Sequence, residues 1–280
     1  MKTKICSYNI KWFEYQFNTD NTLKTFGSSK KDKELQAQRD GIIATLNAVQ
    51  PDILGIVEAP NTTTTVGSQS TVVKLNNFLA LMGWVNHTVM TGYISPGRQE
   101  LAFIYDHTKF SAVHSKGGST GSKKNPPFDE EFFFDTDDDA IKEVYEFYRP
   151  PLEVEFTELS SGNKLSLILV HCKSKGVFTN VDLLHLERES IKNRKKLFAE
   201  CSWVRKRVEE WIDDNKIPGV IFKIITSRKY SIVLKYDEVD KIIFNIVYTG
   251  AFFTVFYSMI QVKYCSRISR FQYDTSTFFC

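Results

Sequence analysis

The stretch KLSLILVHCKSKG, residues 164–176, constrains the chain more than any other. Leu165–Val170 is an apolar run broken only by Ser166. It is too short for a free-standing helix and fits a strand buried on both faces. The run stops at His171, and Lys173, Lys175 and Gly176 follow. A buried strand that delivers an imidazole and two ammonium groups to its end makes an anion site at a sheet rim. The plainer alternative is a satisfied histidine beside two solvated lysines.

Composition sets the outer bounds. The chain has 280 residues, 42% hydrophobic and 25% charged, which suits one large globular domain or two small ones. A net charge of +3 permits a polyanionic partner without demanding one. The five cysteines, Cys6, Cys172, Cys201, Cys265 and Cys280, are odd in number and contain no CxxC pair. Neither a zinc site nor a disulfide framework is indicated. The opening MKTKICSYNIKWF has no signal-peptide core and turns straight into a strand pattern. A reducing cytoplasm is the expected location.

Taken in order, Lys4–Ile10 reads as a strand closing on Asn9. Residues 32–49 read as a helix with Leu35, Ile42, Ile43, Leu46 and Val49 in one stripe, stopped by Pro51. Ile53–Val57 is a second buried strand, ending on Glu58. A second helix spans residues 71–82, with Gly83 as its stop. Leu101–Tyr105 is a third strand, preceded by Arg98, Gln99 and Glu100. Residues 115–139 are a surface excursion whose Phe132–Phe134 dock on the body. Arg149, Pro150 and Pro151 open a strand in which Leu152, Val154 and Phe156 alternate with polar residues. The strand ending at His171 follows. Residues 180–215 form a long helix or helix pair with a seam of Phe198, Cys201, Val204, Val208, Trp211 and Ile212; its many Lys and Arg form the wet face. The strand of Leu101 is expected to pair with that of Leu152, and then with that of Leu165, in a mixed α/β layout.

Polar residues fall at strand ends in a consistent order. Asn9, Glu58 and His171 close their strands; Glu100 and Arg149 open theirs. If the strands alternate in direction, all five meet on one rim. A carboxylate with an amide oxygen suits Mg²⁺, a hard cation often completed by substrate phosphate. His171 beside Glu100 would be an oriented imidazole for acid/base work. Arg149, Lys173 and Lys175 would hold phosphate. The reaction implied is metal-assisted hydrolysis of a phosphate ester. Each residue has a bland alternative: Glu58 a surface carboxylate, Asn9 a turn residue, Arg149 an ion pair with Glu153.

The segments SYNIKWF (7–13), PDILGIVEAPN (51–61), GRQELAFIYD (97–106), YRPPLEVEF (148–156) and LILVHCKSKG (167–176) occur in that order. The series resembles the successive motifs of the endonuclease/exonuclease/phosphatase superfamily, most of all its deoxyribonuclease I-like branch, over roughly residues 3–222. The resemblance implies an α/β (α+β) four-layer αββα sandwich of two mixed β-sheets, and a Mg²⁺-dependent (or Mn²⁺- or Ca²⁺-dependent) phosphodiester hydrolase. By resemblance, Asn9 and Glu58 are metal residues. Glu100 hydrogen-bonds the catalytic His171, across what should be adjacent strands. By the same resemblance Arg149 lies near the phosphate site, where Lys173, read from its own position after the strand, would join it. Val57 stands where the family usually has Gln. The implied substrate is nucleic acid, DNA or RNA, with other phosphate esters as alternatives, and the implied state is a monomer.

The resemblance fades near Phe222. Where a Gly-Asp-x-Asn motif would follow the strand at 217–222, the chain reads Lys223-Ile224-Ile225-Thr226. The family's closing Asp-His pair is also missing: the five histidines are His87, His107, His114, His171 and His185. We therefore divide the chain into a domain at 1–222 and an atypical Phe/Tyr/Ile/Lys-rich tail at 223–280, with the last strands incomplete or replaced. The tail reads either as out-of-frame translation or as a genuine segment. Residues 242–262 carry no charge and are long enough for a membrane span, though a pair of buried strands would look the same. Three functions follow as expectations: a nuclease or phosphodiesterase of reduced or no activity, a non-catalytic metal- or polyanion-binding remnant, and a membrane-tethered phosphoesterase.

Overall fold

The computed structural model describes residues 3–62, 70–96, 99–137, 139–172 and 182–214, and the backbone of 218–224, 230–237, 241–248 and 255–258. Its strands are β1 (Lys4–Asn9), β2 (Ile53–Ala59), β3 (His87–Met90), β4 (Glu100–Asp106), β5 (Phe110–His114), β6 (Phe132–Phe134), β7 (Glu143–Tyr145), β8 (Leu152–Glu158), β9 (Lys164–Cys172), β10 (Pro218–Ile224), β11 (Tyr230–Asp237), β12 (Lys241–Tyr248) and β13 (Val255–Ser258). Its α-helices are α1 (Lys30–Val49), α2 (Ser70–Met82) and α3 (Leu183–Asp213).

Two mixed sheets carry the fold. The larger runs β13-β12-β11-β1-β2-β4-β3 and the smaller β10-β9-β8-β5; β6 and β7 form a separate ribbon. Period-two alternation builds the space between the sheets. Ile5, Ile53, Val57, Leu101, Phe103 and Tyr105 from the large sheet meet Phe110, Leu152, Val154, Phe156, Leu167 and Leu169 from the small one. Gly55 belongs to this face because Leu169 comes so close: a Cβ there would sit 2.8 Å from the leucine Cδ1. The outer face of the large sheet, including Cys6, Leu54, Ile56, Ala102 and Ile104, packs against Ile42 and Leu46 of α1 and Leu75, Phe78 and Leu79 of α2. Ile168, Val170 and Cys172, on the outer face of the small sheet, pack against Trp203, Val204 and Trp211 of α3. The molecule is therefore the four-layer αββα sandwich.

Several local expectations hold. Helix α1 begins two residues early because Ser29 caps it, its hydroxyl accepting from Asp32 N at 3.1 Å. Phe132 and Phe134 dock beside Trp203, with Phe132 stacked on it at 4.9 Å between ring centroids. Three expectations are corrected. The strand of Leu101 does not pair with those of Leu152 and Leu165: β4 sits between β2 and β3, while β8 and β9 pair with each other in the opposite sheet. The buried stripe of α3 is Ala199, Trp203, Arg207 and Trp211 with Val204, whereas Phe198 and Ile212 are exposed. Spacing of four defines the stripe, and Arg207 hides it from a hydropathy reading. Arg207 is thus no wet-face residue; it pairs with Glu153, the partner entertained for Arg149.

Over 241–248 and 255–258 the backbone forms two antiparallel strands rather than a helix. No helix among the described residues is long and apolar enough to cross a membrane. The tail also reaches the centre of the large sheet, where β11 pairs antiparallel with β1.

Candidate active site at the sandwich rim

Strand directions place the polar ends together. β1 and β2 are parallel, so Asn9 and Glu58 close at one edge, and β4 runs antiparallel, so it opens there. In the small sheet β8 and β9 are antiparallel, which brings Arg149, just before β8, to the edge where His171 ends β9. A hydrogen bond from Arg149 Nη2 to Gln99 Oε1 joins the two edges into one rim.

Glu58 is the centre of the rim. Val57 pairs with Leu101 and Ala59 with Glu100, leaving Glu58 as the extra residue of a bulge. Its backbone is left-handed, φ 64°, as is that of Gln99, φ 73°. Non-glycine residues seldom take this conformation, and strain of this kind gathers at functional sites. The bulge turns Glu58 out of the strand alternation and onto the rim. Its carboxylate accepts from Asn9 Nδ2 at 3.0 Å, Gln99 Nε2 at 2.8 Å and Trp12 N at 3.3 Å. Both amide orientations are forced, because only an NH₂ can donate to a carboxylate. Gln99 is then a relay, donating to Glu58 and accepting from Arg149. Asn61 Oδ1 fixes the relay by accepting from Gln99 N at 2.7 Å. Burial lowers the Arg149 pKa from its ordinary value, opposed chiefly by the negative charge of Glu58.

Glu100 stands one place off this group. Leu101, Phe103 and Tyr105 share the inner face of β4, so Glu100 falls on the opposite parity. Its carboxylate accepts from Ser95 N at 3.0 Å and, weakly, from Thr62 N at 3.5 Å, and burial raises its pKa. His171 is buried at the end of β9, on the parity of Leu167 and Leu169, facing the large sheet. The expected adjacency of their two strands is absent, since β4 and β9 lie in opposite sheets. Lys173 and Lys175 lie outside the described residues.

The structure thus joins Asn9, Glu58 and Arg149 through Gln99, which sequence reasoning passed over. The signal was present in the dipeptide Gln99-Glu100, but a left-handed residue decides which of the two faces the rim. One acidic group among the described residues, Asp135, Asp137 and Glu143, clusters closely enough to share an ion. It lies away from the rim, beside β7, and Lys195 already bridges Asp137 and Glu143.

The two face-to-face sheets between helix layers make this a deoxyribonuclease I-like αββα sandwich. No family model matches the chain, and no curated protein matches it. Among solved structures it is similar to truncated Caenorhabditis elegans TDP2, with 12% identity and TM-score 0.41 over 82% of this chain and 69% of that one. It is similar to the human Nocturnin catalytic domain with bound sulfate, with 13% identity and TM-score 0.38 over 78% and 62%. An endonuclease/exonuclease/phosphatase family protein from Bacteroides thetaiotaomicron gives 11% identity and TM-score 0.38 over 79% and 62%. The chain thus spans about three-fifths of the length of the latter two structures.

Proposed function

We propose that the rim is a metal-assisted phosphodiester hydrolase site with nucleic acid as its substrate. The observation that supports this best is the state of Glu58. It is a buried carboxylate held by two amides and a backbone N–H, with no cation in direct contact among the described residues. The donor set fits a hard divalent ion such as Mg²⁺: a carboxylate with free lone pairs and the Asn9 Oδ1, which Nδ2 bonding leaves pointing elsewhere. A bound ion would supply charge stabilisation at a phosphoryl oxygen and a more acidic water. Glu58 and Asn9 would hold it. Arg149, fixed by Gln99, would bind a phosphate oxygen as a charge-assisted donor. His171 would carry the acid/base role, with Glu100 supporting the rim from behind.

The test is Mg²⁺ or Mn²⁺ binding by calorimetry, wild type against Glu58→Gln. Affinity should fall at least about tenfold, as expected when a cation loses its one charged ligand; unchanged affinity would refute the assignment. Turnover should be weak, because no Gly-Asp-x-Asn follows the strand at 217–222 and no histidine follows His185 in this sequence. Each missing acid/base or positioning group costs about 10²- to 10⁴-fold. That absence also favours a second reading, a binding domain without turnover. Plasmid nicking with His171→Ala as control separates the two: nicking that depends on His171 selects the enzyme.

A further inference from the structure

The turn after β1 has two sides of different character. Phe13 and Gln16 are fully buried and anchor it to the core. Trp12 and Tyr15 point the other way, 39% and 42% exposed, with ring centroids 5.5 Å apart and planes within 11°. Because Phe13 already packs edge-on against Phe17 and Phe78, the turn does not need these two rings to hold it. Trp12 also sits in left-handed backbone, φ 55° and ψ 44°, an outlier for so bulky a residue.

The pair adjoins the rim directly, since the backbone N–H of Trp12 donates to the Glu58 carboxylate at 3.3 Å. Its electrostatic surroundings favour an anion. Lys31 Nζ lies 5.7 Å from the Tyr15 ring centroid, and Lys11, adjacent to Trp12, is exposed. Glu14, the acid of the turn, is neutralised by Lys74 at 2.6 Å and accepts from Asn61 N at 2.8 Å. Exposed stacked rings flanked by cations are how proteins hold unpaired bases, because every base offers a π-face.

We propose that Trp12 and Tyr15 form a base-stacking subsite for single-stranded nucleic acid, seating a base beside the phosphodiester at the Glu58 rim. This rests on the phosphodiester reading above and deepens it by naming an unpaired strand as the substrate.

The test is fluorescence anisotropy with a labelled oligothymidylate at low salt in chelator, so that neither the metal nor turnover contributes. Trp12→Ala and Tyr15→Ala should each weaken binding by about 5- to 100-fold, the range for losing one base–ring stack. Trp12→Phe should restore most of it. Inorganic polyphosphate, which has charge without bases, should bind wild type and variants alike. Wild-type tryptophan emission should be quenched by the oligonucleotide, and Trp12→Ala should abolish that quenching, a readout that works even if one variant is unstable. Unchanged oligothymidylate binding in both alanine variants overturns the proposal. So does an equal loss for polyphosphate, which would make the surface electrostatic only. A failed rim assignment would show separately, as Glu58→Gln leaving cation affinity intact.

Discussion

Glu58 and Glu153 are both buried carboxylates in one sandwich, and they are satisfied in opposite ways. Glu153 is 0% exposed and faces Arg207, itself 1% exposed. Tyr93 Oη and Gly117 N add to the same carboxylate. Arg207 is further held by Pro126 O at 3.0 Å and stacks on Phe128 at 4.7 Å. That charge is spent internally, and its work is to tie the 115–130 excursion to β8 and α3. Among the described residues Glu58 is held by uncharged donors, and Arg149 reaches it through the Gln99 relay. A carboxylate hydrogen-bonded by neutral donors, with the Arg149 charge acting on it from beyond the relay, is open to an outside cation. The contrast separates an acid committed to an internal ion pair from one that is a candidate ligand more clearly than burial does.

The largest stability effect should come from breaking the internal pair. Arg207→Met leaves Glu153 buried and unpaired, and should cost about 3–5 kcal/mol in urea unfolding. Adding Glu153→Leu should recover much of it, since a buried pair replaced by apolar groups is often neutral. Next comes Gly118→Ala. Its φ is +80°, and an added Cβ would lie 2.6 Å from both Pro126 O and Arg207 Nη2. Left-handed strain and overpacking together should cost about 2–4 kcal/mol, read in the same assay. Glu58→Gln should reverse the pattern: unfolding shifts by only about 1 kcal/mol, one mismatched donor, while cation affinity collapses.

The smallest effect concerns pH. His114 is half-buried beside Tyr93, with Lys116 and Asp129 as its charged neighbours, and its Nε2 has no hydrogen-bond partner among the described residues. Burial first, then Lys116, lowers its pKa below the ordinary 6.5, with Asp129 opposing. The unfolded chain therefore binds a proton more readily. The contribution is fully present above pH 6.5 and is lost as pH falls toward the depressed folded value. His114→Phe should flatten that acid limb in melting curves taken from neutral to mildly acidic pH. An identical slope would show that other groups set it.

Much of this was legible in the sequence. Buried strands announce themselves as apolar runs, so β2, β4, β8 and β9 were found within one or two residues. A polar residue at the end or start of such a run marks a sheet edge, which is how Asn9, Glu58, Arg149 and His171 were placed at strand ends. What failed depended on contacts between distant segments. Nothing local tells that the strand of Leu101 joins β2 and not β8, or that Arg207 finds Glu153. Gln99 was missed because backbone handedness, not residue type, turns it toward Glu58. Trp12 was passed over because a large aromatic after a strand reads as core, and here Phe13 takes that place.

The position of β1 has a consequence for the order of assembly. It is central in the finished sheet, with Ile5 opposite Ile53 on one side and Leu234 on the other. The first neighbour, β2, is synthesised within about fifty residues of it, the second, β11, only after more than two hundred. Until then β1 presents an open row of peptide groups to any other strand in reach, the condition that invites intermolecular pairing. Closing that edge requires a long-range pairing, which is entropically costly and slow. A nascent chain that folds before β11 emerges therefore carries a half-built sheet, with the candidate rim beside an unsealed seam.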